Sequence, residues 1–255
     1  MNDSPRGGSS GEQVIALWSA PRSRSTAFLR MMMGRDDVAA VHEPFSRLAD
    51  FGSAEIEDRT VHSEAELIDA ITTLGGKSRL FFKDTTDFHY PGVLADQDFL
   101  RNVCHTFIIR DPKEVIASHF ALNPELRRDE VGFARLHELF LAVTEAQGAE
   151  PVVVDSDDLI ERPEDTVRAY CESVGLPFDA TSLSWSPGMP DDWKLTARWH
   201  QDASTTNGFV KSRKNYPDTV DNHPVLAEHY RAELPFYTYL HERRLRPRGA
   251  VRGAV

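Results

Sequence analysis

A short turn between an apolar run and a helix-like segment constrains this chain more than any other feature. Residues 14–17 are apolar, and the turn that follows reads Trp-Ser-Ala-Pro-Arg-Ser-Arg-Ser-Thr over 18–26. The pattern predicts a strand, a tight turn and a helix that continues from residue 27. In that geometry the N–H groups of the turn and the positive end of the helix dipole face one point. The turn therefore predicts a phosphate- or sulfate-binding loop.

The side chains of this turn suit an anion as well. Arg22 and Arg24 add positive charge, and the turn also supplies the hydroxyls of Ser23, Ser25 and Thr26. Ser25 and Thr26 have two readings, as caps of the helix or as ligand contacts. The glycines and the Gly-Lys pair of the ATP-binding GxxxxGK[ST] loop are missing, so the anion need not be a triphosphate.

The composition excludes some classes of protein. The chain has 255 residues, 40% of them hydrophobic, and a formal net charge of −11. This charge argues against a general nucleic-acid binder, whereas a nucleotide pocket needs only local positive charge. We find no signal peptide or membrane span in the sequence and expect a cytoplasmic protein. Cys104 and Cys171 are expected to be reduced and packed.

Strand and helix patterns alternate along the chain. Strands are predicted at 14–18, 38–41, 79–83, 103–109 and 151–155, with helical patterns between them. Such repeats predict an α/β domain with a central parallel sheet that is flanked by helices. We expect one domain over 13–245, with disordered tails at 1–12 and 246–255. Within it, residues 181–222 are irregular and predict a partly helical lid or binding segment.

Four charged residues follow predicted strands or end them. They are Arg22, Glu43, Lys83 and Arg110. Because the carboxyl ends of parallel strands meet at one edge of a sheet, where ligands bind, these side chains should converge on one crevice.

A second motif follows the fourth predicted strand. Asp111-Pro112 predicts a helix start, and two helical turns bring Ser118 back beside Arg110. Together with the turn at 18–26, this pair resembles the sulfotransferases that use 3′-phosphoadenosine 5′-phosphosulfate (PAPS). The resemblance implies a three-layer, P-loop-like domain and an enzyme that transfers a sulfuryl group from PAPS to a hydroxyl or amine of a small molecule.

The resemblance also implies roles for individual residues. The turn from Arg22 to Thr26 would bind the 5′-phosphosulfate, and Arg110 with Ser118 the 3′-phosphate. A basic segment that includes Arg213 and Lys214 would close over the 3′-phosphate. No metal is required by this chemistry, which depends on positioning and charge stabilisation.

The chain is most similar to the branch with a Pro-Arg-Ser loop, which includes bacterial and tyrosine-protein sulfotransferases and often uses a Glu base. Glu43 matches that base, and its other reading is a solvated loop carboxylate. His42 and His89 are the alternative bases. Arg22 would neutralise the charge that develops on the sulfuryl group, and Lys83 would polarise the acceptor or that group.

Arg24 stands where this branch usually has glycine. A non-glycine residue adopts a positive φ only at a cost. Either the turn keeps ordinary dihedral angles, or Arg24 is held in the left-handed region because its charge is useful.

Two other functions remain open from the sequence. One is a nucleotide-dependent kinase or NTPase on the same fold, for which Asp155 is the candidate Mg²⁺ ligand. The other is a non-catalytic nucleotide-binding protein. The sequence leaves the acceptor and the oligomeric state open, and it indicates no nucleic-acid or membrane partner.

Overall fold

The structure is a computed structural model that describes residues 13–190, 193, 196–211 and 214–247. The expected N-terminal tail, most of the expected C-terminal tail and Arg213 lie outside these ranges. In the described part of the chain no helix is both long and apolar enough to cross a membrane.

The described residues form seven strands in two sheets. Strands β1 to β7 span Val14–Ser19, Ala39–His42, Ala54–Ile56, Arg59–Val61, Leu80–Thr85, Cys104–Ile109 and Val152–Asp155. Five of them form a parallel sheet in the order β2-β5-β1-β6-β7. β3 and β4 pair as a small antiparallel hairpin. The prediction of a parallel α/β sheet is confirmed.

Eleven α-helices lie in the described residues. Helices α1 to α11 span Ser25–Met33, Pro44–Phe51, Glu64–Gly75, Pro91–Ala95, Gln97–Asn102, Pro112–Phe120, Phe133–Gln147, Ser156–Glu161, Pro163–Val174, Ala197–Thr205 and Pro224–Glu242. Single 3₁₀ turns occur at Arg128–Glu130 and Ala180–Leu183. The segment over 181–222 contains α10 and is therefore partly helical, as predicted.

The central sheet is covered on both faces. In β1, Ala16 and Trp18 belong to one apolar core, whereas Ile15 and Leu17 belong to the other. Successive side chains of a strand point to opposite faces, so a strand that is apolar at every position must be buried on both. The arrangement leaves the carboxyl edge of the sheet as the place for a ligand. Of the two cysteines, which form no disulfide, Cys171 is buried and Cys104 partly buried.

The helix start predicted at Asp111-Pro112 is confirmed, since the Asp111 side chain accepts a hydrogen bond from Lys113 N at the start of α6. At the start of α3 the Ser63 side chain accepts one from Glu66 N. Helix α2 was missed. It begins at Pro44 directly after β2, and its first turn is capped by a carboxylate from β5. That partner lies about forty positions along the chain, beyond the reach of a local sequence pattern.

Candidate active site

A cavity opens at the carboxyl ends of the central strands. It encloses about 1220 Å³, counting its open mouth. The expected crevice is therefore present. Nine of the predicted site residues line it, namely Arg22, Arg24, Ser25, Thr26, Glu43, Lys83, Arg110, Ser118 and Lys214.

The turn after β1 adopts an unusual backbone. Arg22 and Arg24 have φ of 65° and 64°, in the left-handed region. Of the two alternatives for Arg24, ordinary dihedral angles are therefore excluded, and its backbone is left-handed. Helix α1 begins at Ser25 with Arg24 as its N-cap residue, which makes no side-chain capping bond. Ser25 accepts a hydrogen bond from Ser19 Oγ at 2.9 Å, so its hydroxyl contacts β1 rather than capping the helix.

Arg110 and Arg22 tie the two motifs together. Arg110 Nη1 donates to the carbonyl oxygen of Arg22 at 3.0 Å, and its Nη2 donates to Glu114 at 3.0 Å. Arg22 Nε donates to Ser118 Oγ at 3.1 Å. Arg110 is buried, and this burial together with the nearby charge of Arg24 lowers its pKa. Two cationic side chains are thus held at one end of the cavity.

The guanidinium of Arg24 reaches the start of α8. It donates to Ser156 Oγ at 3.3 Å and pairs with the Asp157 carboxylate. Asp155, the candidate Mg²⁺ ligand, instead accepts hydrogen bonds from Asp157 N and Asp158 N and caps α8. In the residues that the structure describes, no three His, Cys, Asp or Glu side chains group closely enough to hold a metal ion.

Three buried polar atoms at this end have no hydrogen-bond partner among the described residues. They are Ser23 Oγ, Arg110 Nε and His119 Nδ1. Arg110 Nε is an obligate donor and the Ser23 hydroxyl can donate, and a buried donor without a partner is costly unless a ligand satisfies it. The α1 N-terminus without a side-chain cap adds backbone N–H groups. This set of donors fits an anionic ligand with phosphate or sulfonate oxygens.

His119 was missed in the sequence. It lines the cavity beside Ser118, and its ring meets the Trp199 ring edge-on at 5.4 Å. Burial, then the charges of Arg22 and Arg198, lowers the pKa of His119 to about 4. The imidazole is therefore neutral at physiological pH. Its position directly after Ser118 on α6 was the available signal.

The other end of the cavity holds an ion pair. Lys83 Nζ donates to Glu43 Oε1, and Glu43 N donates to the Lys83 carbonyl oxygen at 2.7 Å. Lys83 lies inside β5 and is buried, whereas a strand ending at 83 was predicted. Glu43 has φ 47°, another left-handed residue. His42 Nε2 lies 3.5 Å from Glu43 Oε2, and its ring packs against Trp193 at 5.1 Å.

Two aspartates at this end were also missed. Asp84 is fully buried, and burial, opposed by the hydrogen bond from Ser46, raises its pKa to about 7. Asp87 lines the cavity and accepts a hydrogen bond from Thr85 Oγ1 at 2.8 Å. Its pKa is raised to about 6, chiefly by burial. The signal was the run Lys-Asp-Thr-Thr-Asp over 83–87, in which only the lysine was singled out.

Of the remaining predicted residues, some line the cavity and others do not or lie outside the described residues. Lys214 lines the cavity, whereas Arg213 lies outside the described residues. His89 is exposed, lies 3.6 Å from the Glu138 carboxylate and is not among the residues that line the cavity. Helix α10 covers the cavity, where the Trp199 carbonyl oxygen accepts a hydrogen bond from Arg22 Nη1.

Solved structures of two sulfotransferases are similar in part. The sulfotransferase domain from the curacin biosynthetic pathway is 15% identical, with a TM-score of 0.42 over 77% of this chain and 84% of its own. Mouse sulfotransferase SULT7A1, solved with PAP, is 10% identical, with a TM-score of 0.42 over 90% of this chain and 89% of its own.

Two Arabidopsis thaliana proteins match by sequence. They are named branched-chain-amino-acid aminotransferase-like protein 1 and protein 2, and each is 29% identical over 240 residues. The match covers 89% of this chain but 41% of theirs, so this chain spans about two fifths of the length of these relatives.

A family model described as a sulfotransferase domain matches residues 13–244. The match begins at the residue before β1 and includes both motifs of the cavity, the turn at 18–26 and the segment from Arg110 to Ser118. The chain belongs to the sulfotransferase-domain family.

Proposed function

We propose that this protein transfers a sulfuryl group from PAPS to a hydroxyl or amine of a small-molecule acceptor. The single observation that carries this proposal is that a cluster of cationic donors and the Glu43–Lys83 ion pair line the same cavity. Membership of the sulfotransferase family supports the reaction type. We assign the activity to one domain over 13–245. The cytoplasmic location remains a prediction.

The cationic end would hold the sulfuryl donor. Arg22, Ser23, Arg24 and the first N–H groups of α1 suit its 5′-phosphosulfate. We assign its 3′-phosphate to Arg110, Ser118, Lys214 and Arg213, the last of which lies outside the described residues. PAPS supplies an activated sulfuryl group on a phosphate leaving group.

Glu43 would act as the general base. It takes the proton of the acceptor hydroxyl as the acceptor oxygen forms its bond to sulfur and the bond from sulfur to the phosphate oxygen breaks. The Lys83 ammonium favours the ionised carboxylate before transfer and can polarise the acceptor or the sulfuryl oxygens. Arg22 stabilises the negative charge that develops on those oxygens. His42 would orient the Glu43 carboxylate.

Ligand binding tests the proposal without knowledge of the acceptor. A ligand that binds only the native state at 100 times its Kd stabilises it by about 2.7 kcal/mol. We expect 3′-phosphoadenosine 5′-phosphate (PAP) to raise the Tm without Mg²⁺ and ATP to have little effect. A larger shift with ATP and Mg²⁺ would overturn the proposal in favour of a kinase or NTPase.

Turnover separates an enzyme from a non-catalytic nucleotide-binding protein. A panel of alcohols, phenols and amines is incubated with PAPS, and sulfated products are identified by mass spectrometry. We expect at least one acceptor to be sulfated, with PAP released in equal amount. Tight PAP binding with no product from any acceptor would support the non-catalytic alternative.

A further inference from the structure

The residue after Lys83 is a buried carboxylate to which the proposed chemistry gives no role. Asp84 is fully buried, and its two carboxylate oxygens accept main-chain hydrogen bonds from the start of α2. Phe45 N donates to Oδ2 at 2.6 Å and Ser46 N donates to Oδ1 at 3.1 Å. Oδ1 also accepts from Ser46 Oγ at 2.5 Å and from Thr85 N at 2.9 Å. The carboxylate is thus fixed between β5 and α2.

These contacts occupy the positions that a helix cap normally uses. Glu43 is the N-cap residue of α2, and Pro44, Phe45 and Ser46 are its first three helical residues. An N-cap side chain usually accepts a hydrogen bond from the second or third N–H group. Glu43 makes no such bond. Asp84 instead accepts hydrogen bonds from both the second and the third N–H group, so the Glu43 carboxylate is able to pair with Lys83.

The backbone of Glu43 also needs this support. Its φ of 47° and ψ of 50° place it in the left-handed region, which a non-glycine residue occupies only where the surroundings impose it. The turn is held on one side by the hydrogen bond from Glu43 N to the Lys83 carbonyl. On the other side it is held by the hydrogen bonds that Asp84 accepts from Phe45 N and Ser46 N. Two neighbouring residues of β5 therefore fix both the backbone and the side chain of Glu43.

We propose that Asp84 is the positioning residue for Glu43: it replaces Glu43 as the cap of α2 and thereby holds the Glu43 carboxylate on Lys83 at the acceptor end of the cavity. This inference rests on the proposed role of Glu43 as general base. It makes Asp84 act through Glu43 and assigns it no contact with substrate.

A surrounding network supplies a matched control. Tyr90 donates to the Thr85 carbonyl at 2.8 Å, and its hydroxyl lies 3.0 Å from Ser46 Oγ. The Tyr90 hydroxyl lies farther from Asp84 Oδ1, at 3.5 Å. Tyr90→Phe removes a buried hydroxyl of this network but leaves both main-chain contacts of Asp84 in place.

The test is a double-mutant cycle on Asp84 and Glu43. Asp84→Asn keeps the shape of the side chain but turns an N–H₂ group toward a main-chain donor. The rate is the initial release of PAP from PAPS with the acceptor that the panel selects, per PAP-binding site measured by calorimetry, so that unfolded protein does not count. We expect Asp84→Asn to lower kcat about 10- to 100-fold, within the range of a misplaced general base. The Kd for PAP should change by less than about twofold, and Tyr90→Phe should leave kcat within about threefold.

The double variant, Asp84→Asn combined with Glu43→Gln, is the deciding measurement of the cycle. Residues that act as one unit give strongly non-additive effects. In the Glu43→Gln background, Asp84→Asn should therefore cost less than about threefold. A cost equal to that in the wild type would overturn the inference, as would an unchanged kcat in Asp84→Asn alone. Full activity of Glu43→Gln, or no binding of PAP by the wild type, would instead contradict the proposed function.

A second variant covers the case in which Asp84→Asn does not fold. Ser46→Ala removes the shortest side-chain contact of Asp84 and keeps its main-chain hydrogen bonds. We expect a loss of kcat of about three- to tenfold that disappears in the Glu43→Gln background. A loss of the same size in both backgrounds would overturn the inference.

Discussion

The two ends of the cavity differ in how the chain builds them. The cationic end comes from two local motifs, each a strand, a turn and a helix. Arg110 of the second motif donates to the turn of the first, and Arg22 of the first donates to Ser118 on the helix of the second. The opposite end joins Glu43 to Lys83 and Asp84, about forty residues later, across two neighbouring strands. An anion needs many donors of one sign, which a loop and a helix end supply locally. Proton transfer needs opposite charges in register, which only tertiary contacts supply.

Both ends also contain strained backbone. Among the residues that the structure describes, the four non-glycine residues with positive φ are Arg22, Arg24, Glu43 and Glu57. Three of them belong to the cavity, and the fourth lies in the turn of the β3–β4 hairpin. Strain of this kind clusters at functional sites because it aims a side chain. At one end of the cavity the strained residues are the cationic Arg22 and Arg24, and at the other end the strained residue is Glu43, the proposed base.

If the two ends of the cavity act independently, substitution of the proposed base should have the largest effect on kcat and little effect on PAP binding. Glu43→Gln should lower kcat by about 10²- to 10⁴-fold, the usual contribution of general base catalysis. Calorimetry should give a Kd for PAP within about twofold of the wild type. His89→Gln, which alters an exposed histidine outside the cavity lining, is the control. A matching loss of PAP affinity in Glu43→Gln would break the division into two ends.

The converse experiment removes a cation from the donor end. Arg110→Ala should weaken PAP binding about 10- to 100-fold, because charge-assisted hydrogen bonds contribute about 1.5–3 kcal/mol each. The preference for PAP over AMP, which lacks the 3′-phosphate, should largely disappear in paired calorimetric titrations. Arg101→Ala, an exposed arginine on α5, is the control. An unchanged preference would remove Arg110 from the 3′-phosphate site.

The pH dependence of stability should have opposite signs at the two ends. The pKa of His119 is lowered from 6.5 to about 4, so between these values the unfolded chain holds a proton that the folded chain lacks. Stability from this group is present above pH 6.5 and is lost as pH falls toward 4. The pKa of Asp84 is raised from 3.8 to about 7, so its contribution is present below pH 3.8 and is lost as pH rises toward 7.

Variants separate these two contributions. Relative to the wild type, His119→Gln should flatten the fall in unfolding free energy toward acid, and Asp84→Asn should flatten the fall toward neutral pH. Each effect has an upper limit of about 1.4 kcal/mol per pH unit. Urea unfolding over pH 4–6.5 measures both. Slopes that change in the same direction would contradict the assigned protonation states.

The smallest expected effect concerns Arg24. Arg24→Gly removes a left-handed arginine, so the ligand-free protein should gain about 1 kcal/mol of unfolding free energy. The exposed pair with Asp157 offsets little of this gain. PAP affinity should fall about three- to tenfold, in line with the loss of one charged contact. An Arg24→Gly protein that gains stability without losing affinity would show that this arginine does not serve the ligand.

The cationic end could be predicted from the sequence because its signals are contiguous. The turn at 18–26 and the Arg110–Ser118 spacing each identify a strand, a turn and a helix without any distant partner. The backbone angle of Arg24 could not be predicted, since it depends on what holds the side chain at Ser156 and Asp157.

The opposite end could be predicted only in part. The positions of Glu43 and Lys83 after strands indicated convergence but not their ion pair. Asp84 lies one residue past the predicted strand 79–83, and its partners on α2 are not visible in the local sequence. Helix α2 itself escaped prediction for the same reason, because its cap comes from β5.

The most direct test of the account is sulfuryl transfer from PAPS followed by mass spectrometry in the presence of a metal chelator. Wild-type protein should form a sulfated acceptor and an equal amount of PAP, and Glu43→Gln should bind PAP normally while forming product at least about 100-fold more slowly. PAP binding by both proteins with equal rates of product formation would contradict the account, because the cavity would then have a donor site without the base that defines its other end.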